Sequence, residues 1–207
     1  MAYCMFRLFK DATHDANRFA RVRAEMMPKV RAIPGFLRWA GMETNDGRYG
    51  ALQVYETKQG IAQAKQLFDE WRRASGVDNP SELEVVGEMG LQIAVRTDFE
   101  TGYGVARLYR TPASFQEVND AIRHEGEQEI RSMPGLYRYG TALLEDGRIA
   151  VFSAYETEQA THDMTAKARE LRSRPGSQLG KVLPNDPEVI AGRIGLVFTN
   201  APAHAPA

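Results

Sequence analysis

The sequence predicts an α+β chain made of two ferredoxin-like βαββαβ repeats, with antiparallel sheets packed face to face into one barrel. Three observations carry that expectation. A shift of 100 positions brings the halves into gapless register from Tyr3 to about Arg72. The same short motifs then coincide: Pro34-Gly35 with Pro134-Gly135, Asp46-Gly47-Arg48 with Asp146-Gly147-Arg148, and Tyr55-Glu56-Thr57 with Tyr155-Glu156-Thr157. Within each half the apolar pattern passes from strand-like runs to helical spacing and back, twice.

Taken in order, Tyr3 to Lys10 and Tyr103 to Arg110 are short, aromatic and apolar, as half-buried first strands should be. In the second half Thr111-Pro112, then Ser114 with Glu117 three residues on, announces a helix through a capping box. Val118, Ile122, Ile130 and Met133 keep helical spacing there, as Phe19, Val22, Met26, Val30 and Ile33 do in the first half. Pro28 conflicts with an unbroken helix, since an interior proline costs about 3 kcal/mol, so a kink or break is expected. Each Pro-Gly pair ends its helix. Asp46-Gly47 and Asp146-Gly147 signal hairpins, with type I′ turns expected. Thr57 and Thr157 stand where N-caps would, ahead of helices striped by Ile61, Ala64, Phe68 and Trp71, and by Ala160, Met164, Ala168 and Leu171. Fourth strands around Glu84–Val95 and Glu188–Thr199 complete the units, with a longer second-half loop from Arg174 to Pro187. The expected organisation is a first repeat over 1–98, a second over 99–199, and an Ala/Pro-rich disordered tail over 200–207. A sheet with both helices on one face needs a cover for the other. A second copy tethered on the same chain supplies one at high effective concentration.

Composition narrows function. In 207 residues the net charge is −1, and no Lys/Arg run reaches five, so the basic surplus that grips nucleic acid is missing. Cys4 is the one cysteine, which excludes an intrachain disulfide and a thiolate cluster. No apolar run approaches the ~20 residues of a membrane span, and the start lacks a signal-peptide pattern. A cytoplasmic protein without nucleic-acid or membrane partners is expected, with a homodimer of the fused chain as a further possibility. His14, His124, His162 and His204 show no metal-binding helical spacing, and no phosphate loop or nucleophile elbow is present.

The order strand, helix, Pro-Gly, strand, Asp-Gly hairpin, strand ending in Tyr-Glu-Thr, helix resembles the dimeric α+β barrel superfamily. The nearest likeness is to its antibiotic biosynthesis monooxygenase-like domains, here present twice. Pro34-Gly35-Phe36 with Tyr55-Glu56-Thr57, and Pro134-Gly135-Leu136 with Tyr155-Glu156-Thr157, carry the likeness, with Tyr where many members have Trp before the Glu. The resemblance implies a small cofactor-free, metal-free monooxygenase acting on an aromatic or polyketide-like molecule. The competing reading is a non-catalytic ligand-binding or stress-response barrel. A third is a haem-handling protein, with helical His162 as the residue to consider. Fold membership alone does not decide among them.

Strand alternation proposes the site. Cys4, Phe6 and Leu8 form a wholly apolar set suited to the helix-packed side, which assigns Arg7 and Arg107 to the barrel interior. The polar-tipped set Tyr49, Ala51, Gln53 and Tyr55, matched by Ile149, Val151, Ser153 and Tyr155, goes to the same cavity. Arg7, Arg107, Tyr55, Tyr155, Gln53 and Ser153 are therefore the candidate binding residues for a small, flat, possibly anionic molecule. The plainer alternative for the arginines is an internal ion pair that fixes the sheet. Arg38 and Arg138 are expected at the surface or rim, and Trp39 and Tyr139 in sheet packing. Differences such as Gln53 against Ser153 suggest that one pocket keeps a function while the other loses it.

Overall fold

The computed structural model describes residues 1–10, 17–75 and 80–200; the expected tail lies, from residue 201 on, outside the described residues. Eight strands, β1 (Tyr3–Phe9), β2 (Phe36–Thr44), β3 (Tyr49–Tyr55), β4 (Ser81–Ala94), β5 (Gly102–Tyr109), β6 (Leu136–Leu144), β7 (Ile149–Tyr155) and β8 (Glu188–Thr199), form a closed antiparallel barrel. Around the barrel they run β1-β3-β2-β8-β5-β7-β6-β4. Each repeat contributes one four-stranded sheet, and β2 with β8 and β4 with β6 close the seams, so neither sheet keeps an open edge. The fold is the dimeric α+β barrel, closed within one chain. Among the described residues no helix is long and apolar enough to cross a membrane.

The repeated motifs explain one another. Gly35 and Gly135 adopt φ of 76° and 71°, in the left-handed region open to glycine. The turn this makes points the Gly35 carbonyl at the Glu56 amide, 2.8 Å away, and the Gly135 carbonyl at the Glu156 amide at the same distance. Pro-Gly and Tyr-Glu-Thr are thus two sides of one contact. Thr57 and Thr157 cap the helices α3 (Lys58–Ala74) and α6 (Glu158–Ser173) by accepting from the Gly60 and Ala160 amides. The capping box of Ser114 and Glu117 opens α4 (Phe115–Ala121).

Two expectations are corrected. The hairpins form, but not through type I′ turns: Gly47 and Gly147 have positive φ, and among the described residues no non-glycine does. The Thr44 and Leu144 amides bond the Arg48 and Arg148 carbonyls, and the Gly47 and Gly147 amides bond back to Thr44 and Leu144. This is the three-residue loop with a glycine bulge, which needs one positive φ rather than two. The helix break is also wider than proline alone explains. A π turn over Val22–Met26 separates α1 (Arg18–Arg21) from α2 (Met27–Arg31), and Pro28 sits in the first turn of α2. The second repeat has the same π turn over Ile122–Gly126, ahead of α5 (Glu127–Ser132), with Gln128 in the proline's place. The wide turn belongs to the repeat, and Pro28 occupies a position where a missing amide costs little.

The core has three parts. Cys4, Phe6 and Leu8 join Ala106, Leu108, Phe152 and Ile194 in a cluster drawn from both repeats, so these side chains fill the barrel interior. The Phe6 and Phe152 rings meet across it at 5.6 Å. The other two clusters lie on the helix side of the sheets, each built mainly by one repeat and completed by the end of the other repeat's last strand, Leu196 and Phe198 of β8 in the first and Leu91 and Ile93 of β4 in the second. Burying Phe68 or Ile61 there contributes about 1.5–3 kcal/mol each. The face assignment made from the sequence is therefore inverted: the apolar set faces the barrel, and Arg7, Gln53 and Tyr55 face the helices. The physical reason is that both faces of these sheets are buried, and only the helix-covered face meets polar groups able to satisfy an arginine.

Candidate functional site

Arg7 reaches outward to α3. Its guanidinium donates to Asp69 Oδ1 at 2.6 Å and to Glu84 Oε2 at 2.8 Å, and Lys65 joins both carboxylates at 2.8 and 3.3 Å. Burial alone would raise the Asp69 carboxyl, but hydrogen bonds from Lys65 and Arg7 hold it below the usual range. The ion-pair reading is realised in this repeat. Arg107 has a different environment: its donors meet Ser153 Oγ at 3.2 Å and Thr165 Oγ1 at 2.7 Å, and among the described residues no carboxylate pairs with it.

Next to Arg7 a cavity of about 50 Å³ opens between the first sheet and its helices. Gln53, Tyr49 and Trp39 form its sheet wall, Phe68, Trp71 and Arg72 of α3 a second wall, and Arg18 of α1 a third. Gly41 makes the wall possible, because a Cβ there would lie 2.6 Å from the Tyr49 hydroxyl and 2.5 Å from the Trp39 ring. Arg18 sits 4.8 Å over the Tyr49 ring, and Trp39 stacks on Phe68. Among the described residues, Trp39 Nε1, Tyr49 OH and Gln53 Oε1 are buried without a hydrogen-bond partner. Each such group costs about 1–3 kcal/mol when left unmade, so three around one cavity call for hydrogen bonds that water or a ligand would supply. Burial pushes the Tyr49 phenol up, with the Arg18 charge opposing, so Tyr49 is a neutral donor.

The second repeat has a cavity of about 40 Å³ at the matched place, with a more apolar lining. Arg18, Tyr49, Gln53 and Phe68 are matched by Val118, Ile149, Ser153 and Ala168. The long loop carries α7 (Gln178–Val182), whose Leu179, with Leu183 just after it, borders the 40 Å³ space that remains. Glu125 holds this plug, accepting from the Ser177 hydroxyl and the Gln178 and Leu179 amides at 2.9, 2.7 and 3.1 Å. The matching Glu25 instead accepts from Trp71 Nε1 at 2.6 Å and ties the first π turn to α3.

Of the residues singled out from the sequence, Arg7 and Gln53 line the first-repeat cavity. Tyr55 does not; it packs edge-on against Phe36 and under Gly60 at the start of α3. Arg107 and Ser153 bond each other in the second repeat, Ser153 also borders the barrel interior, and Tyr155 is fully buried in the second helix–sheet core. Trp39 was expected to be packing alone and is also a cavity wall; Arg18, Trp71 and Arg72 were missed because helix positions give no sign of which cavity they reach. His162 is exposed on α6, and these cavities are far smaller than a haem, so the residues present do not fit that group. Among the described residues no cluster of His, Cys, Asp and Glu could hold a metal ion.

The architecture and the paired helix–sheet sites define an intrachain dimeric α+β barrel. No family model matches the chain, and no curated protein is significantly similar in sequence. Among solved structures, a candidate monooxygenase from Lactobacillus acidophilus NCFM is similar with a TM-score of 0.66 at 11% identity, over 96% of each chain. A candidate chlorite dismutase gives 0.63 at 15% identity, over 93% of this chain and 94% of that one. An anthrone oxidase-like protein gives 0.60 at 13% identity, over 100% of this chain and 96% of that one. At such identities the likeness is one of fold.

Proposed function

We propose that the first-repeat cavity binds a flat phenol or enol as its anion, and that the chain is a cofactor-free monooxygenase acting on it. The observation that carries this reading is the convergence of buried, unpartnered Trp39 Nε1, Tyr49 OH and Gln53 Oε1 on a cavity walled by Arg7, Arg18 and Arg72, in one repeat only. Trp39 Nε1 and Tyr49 OH are donors, and with the fixed positive charge they favour an anionic oxygen, while Gln53 Oε1 is an acceptor for a second substrate hydroxyl; an enolate is the form that reacts directly with dioxygen. In the balanced reaction a substrate CH₂ becomes C=O, one atom of O₂ supplying that oxygen and the other leaving as water with the two hydrogens. The site contributes charge stabilisation rather than a strong base, since Asp69 and Glu84 are committed to Arg7 and Lys65. The names of the candidate monooxygenase and the anthrone oxidase-like protein favour oxidation of an aromatic ketone or phenol.

At about 50 Å³ the closed cavity is smaller than a ring, given that a cavity of about 150 Å³ holds benzene, so binding requires α1 to move outward. That small volume favours the second reading, a ligand-binding barrel without turnover. Oxygen uptake with anthrone and with dihydroxynaphthalenes, alongside quenching of tryptophan fluorescence, separates the two. Uptake that falls about tenfold in Gln53→Leu or Tyr49→Phe, the equivalent of one lost hydrogen bond of about 1.4 kcal/mol, is the expected result. Quenching without uptake selects the binding reading, and neither quenching nor uptake with these probes overturns both.

A further inference from the structure

The mouth of the barrel interior holds a pair of half-buried arginines, at the rim where the sequence expected them, that nothing described so far uses. Both second strands open with a β-bulge. In β2 the register shifts between Phe36 and Arg38, so that Phe36 lies opposite Tyr55 on the helix face and Arg38 opposite Val54, an interior residue. The same shift in β6 sets Leu136 opposite Tyr155 and Arg138 opposite Ala154. Simple alternation would send Arg38 and Arg138 to the face of Phe36 and Leu136. The bulges re-aim both into the barrel, where they line a cavity of about 100 Å³ with Phe6, Met42, Met89 and Phe152.

Nothing there balances them. Among the described residues neither arginine has a carboxylate partner; Arg38 donates to the neutral amide oxygen of Gln92, and Arg138 Nε is buried without any partner. The two guanidiniums also repel: burial first, then the charge of Arg138, pushes Arg38 down to about 10. Two half-buried cations with no anion, above an apolar floor, offer a ready place for one.

We propose that the barrel interior is a second binding site, for a short aliphatic monocarboxylate whose head is held between Arg38 and Arg138. Scaling from the benzene cavity, about 100 Å³ holds roughly four or five non-hydrogen atoms, enough for the carbons of a three- or four-carbon chain but not for a ring, with the two carboxylate oxygens outside that volume among the guanidinium donors. Fork-shaped guanidinium donors match a carboxylate head. The site uses one arginine from each repeat, so it exists only because the two sheets share an interior, and it is separate from the first-repeat cavity.

The test is calorimetric titration of the whole chain with butyrate, butanol and butylamine, repeated on Arg138→Gln and on Arg38→Gln/Arg138→Gln. Butyrate should bind while the other two do not, affinity should fall at least tenfold in the single variant and be undetectable in the double, and Gln53→Leu should leave it unchanged. Without ligand, both variants should melt no lower than the parent, since each removes an uncompensated cation; this reads the site even where titration heats are small. Absence of butyrate binding by the parent chain, equal binding by the double variant, or a large fall in its Tm would each overturn the proposal.

Discussion

Arg7 and Arg107 occupy matched positions and are almost equally buried, 2% and 4% exposed, so replacing each by Met isolates what their partners contribute. Arg7→Met removes two hydrogen bonds to charged acceptors, worth about 1.5–3 kcal/mol each. The Asp69 and Glu84 side chains keep 30% and 27% of their exposure and Lys65 stays beside them, which roughly halves the loss to about 2–3 kcal/mol. Arg107→Met removes two bonds to neutral hydroxyls, and Thr165 keeps its own bond to the Thr161 carbonyl at 2.7 Å. Release of a buried unpaired cation offsets most of that, leaving about 0–1 kcal/mol. The expected gap of about 2 kcal/mol corresponds to roughly 4–8 °C in Tm for a chain of this length, read by calorimetry or urea unfolding at pH 7. Acid gives a second reading. The Asp69 pKa is depressed in the folded chain, so its contribution is full above the unfolded value near 3.9 and is lost as pH falls through the lower folded value. The gap should therefore narrow as pH falls below that unfolded value. Equal destabilisation by the two substitutions at pH 7, or a gap unchanged by acid, would refute the assignment of partners.

The plug in the second repeat should depend on one carboxylate. Glu125→Ala removes three acceptor contacts at the start of α7, and amide exchange over residues 177–183 should speed up at least tenfold while β5 to β8 keep their protection; unchanged exchange would show that Leu179 and Leu183 hold α7 by packing alone. Cys4 lies in the barrel interior with its thiol pushed up to about 12 by burial, against which the Arg38 charge works. A disulfide reagent at pH 8 should therefore leave the native chain unlabelled and modify one thiol per chain in denaturant, and rapid labelling of the native form would place Cys4 elsewhere.

The parts of the fold that were legible in the sequence are those set by local chemistry. Pro-Gly, Asp-Gly, the Thr N-caps and the Ser114–Glu117 capping box each act within a few residues, and each recurs at an offset of 100. Barrel closure followed from the need to cover a bare sheet face. The side facing inward was not legible, because alternation says which residues share a face and not which face is which; with both faces buried, composition had no solvent side to mark. The bulges before Arg38 and Arg138 were invisible for a related reason: a one-residue register shift reverses a side chain and leaves the residue pattern unchanged. Arg7 and Gln53, expected together in the barrel, border one cavity on the helix side instead, while Tyr55, in the alternation set of Gln53, is sealed beneath the start of α3.

Where the halves differ follows from how each cavity is assembled. The helix–sheet cavities are each lined by one repeat, so a change in one leaves the other intact, and the contrast is in chemistry rather than size: Arg18, Tyr49, Gln53 and Phe68 by a space of about 50 Å³, against Val118, Ile149, Ser153 and Ala168 by one of about 40 Å³. The barrel interior is a single space built by both, so a change at one matched position alters the only cavity there is. Arginine stands at both 38 and 138, behind the same bulge in each strand. Covalent fusion removes the requirement that the two outer sites be identical, whereas a carboxylate held between Arg38 and Arg138, as proposed, would require an arginine from each repeat.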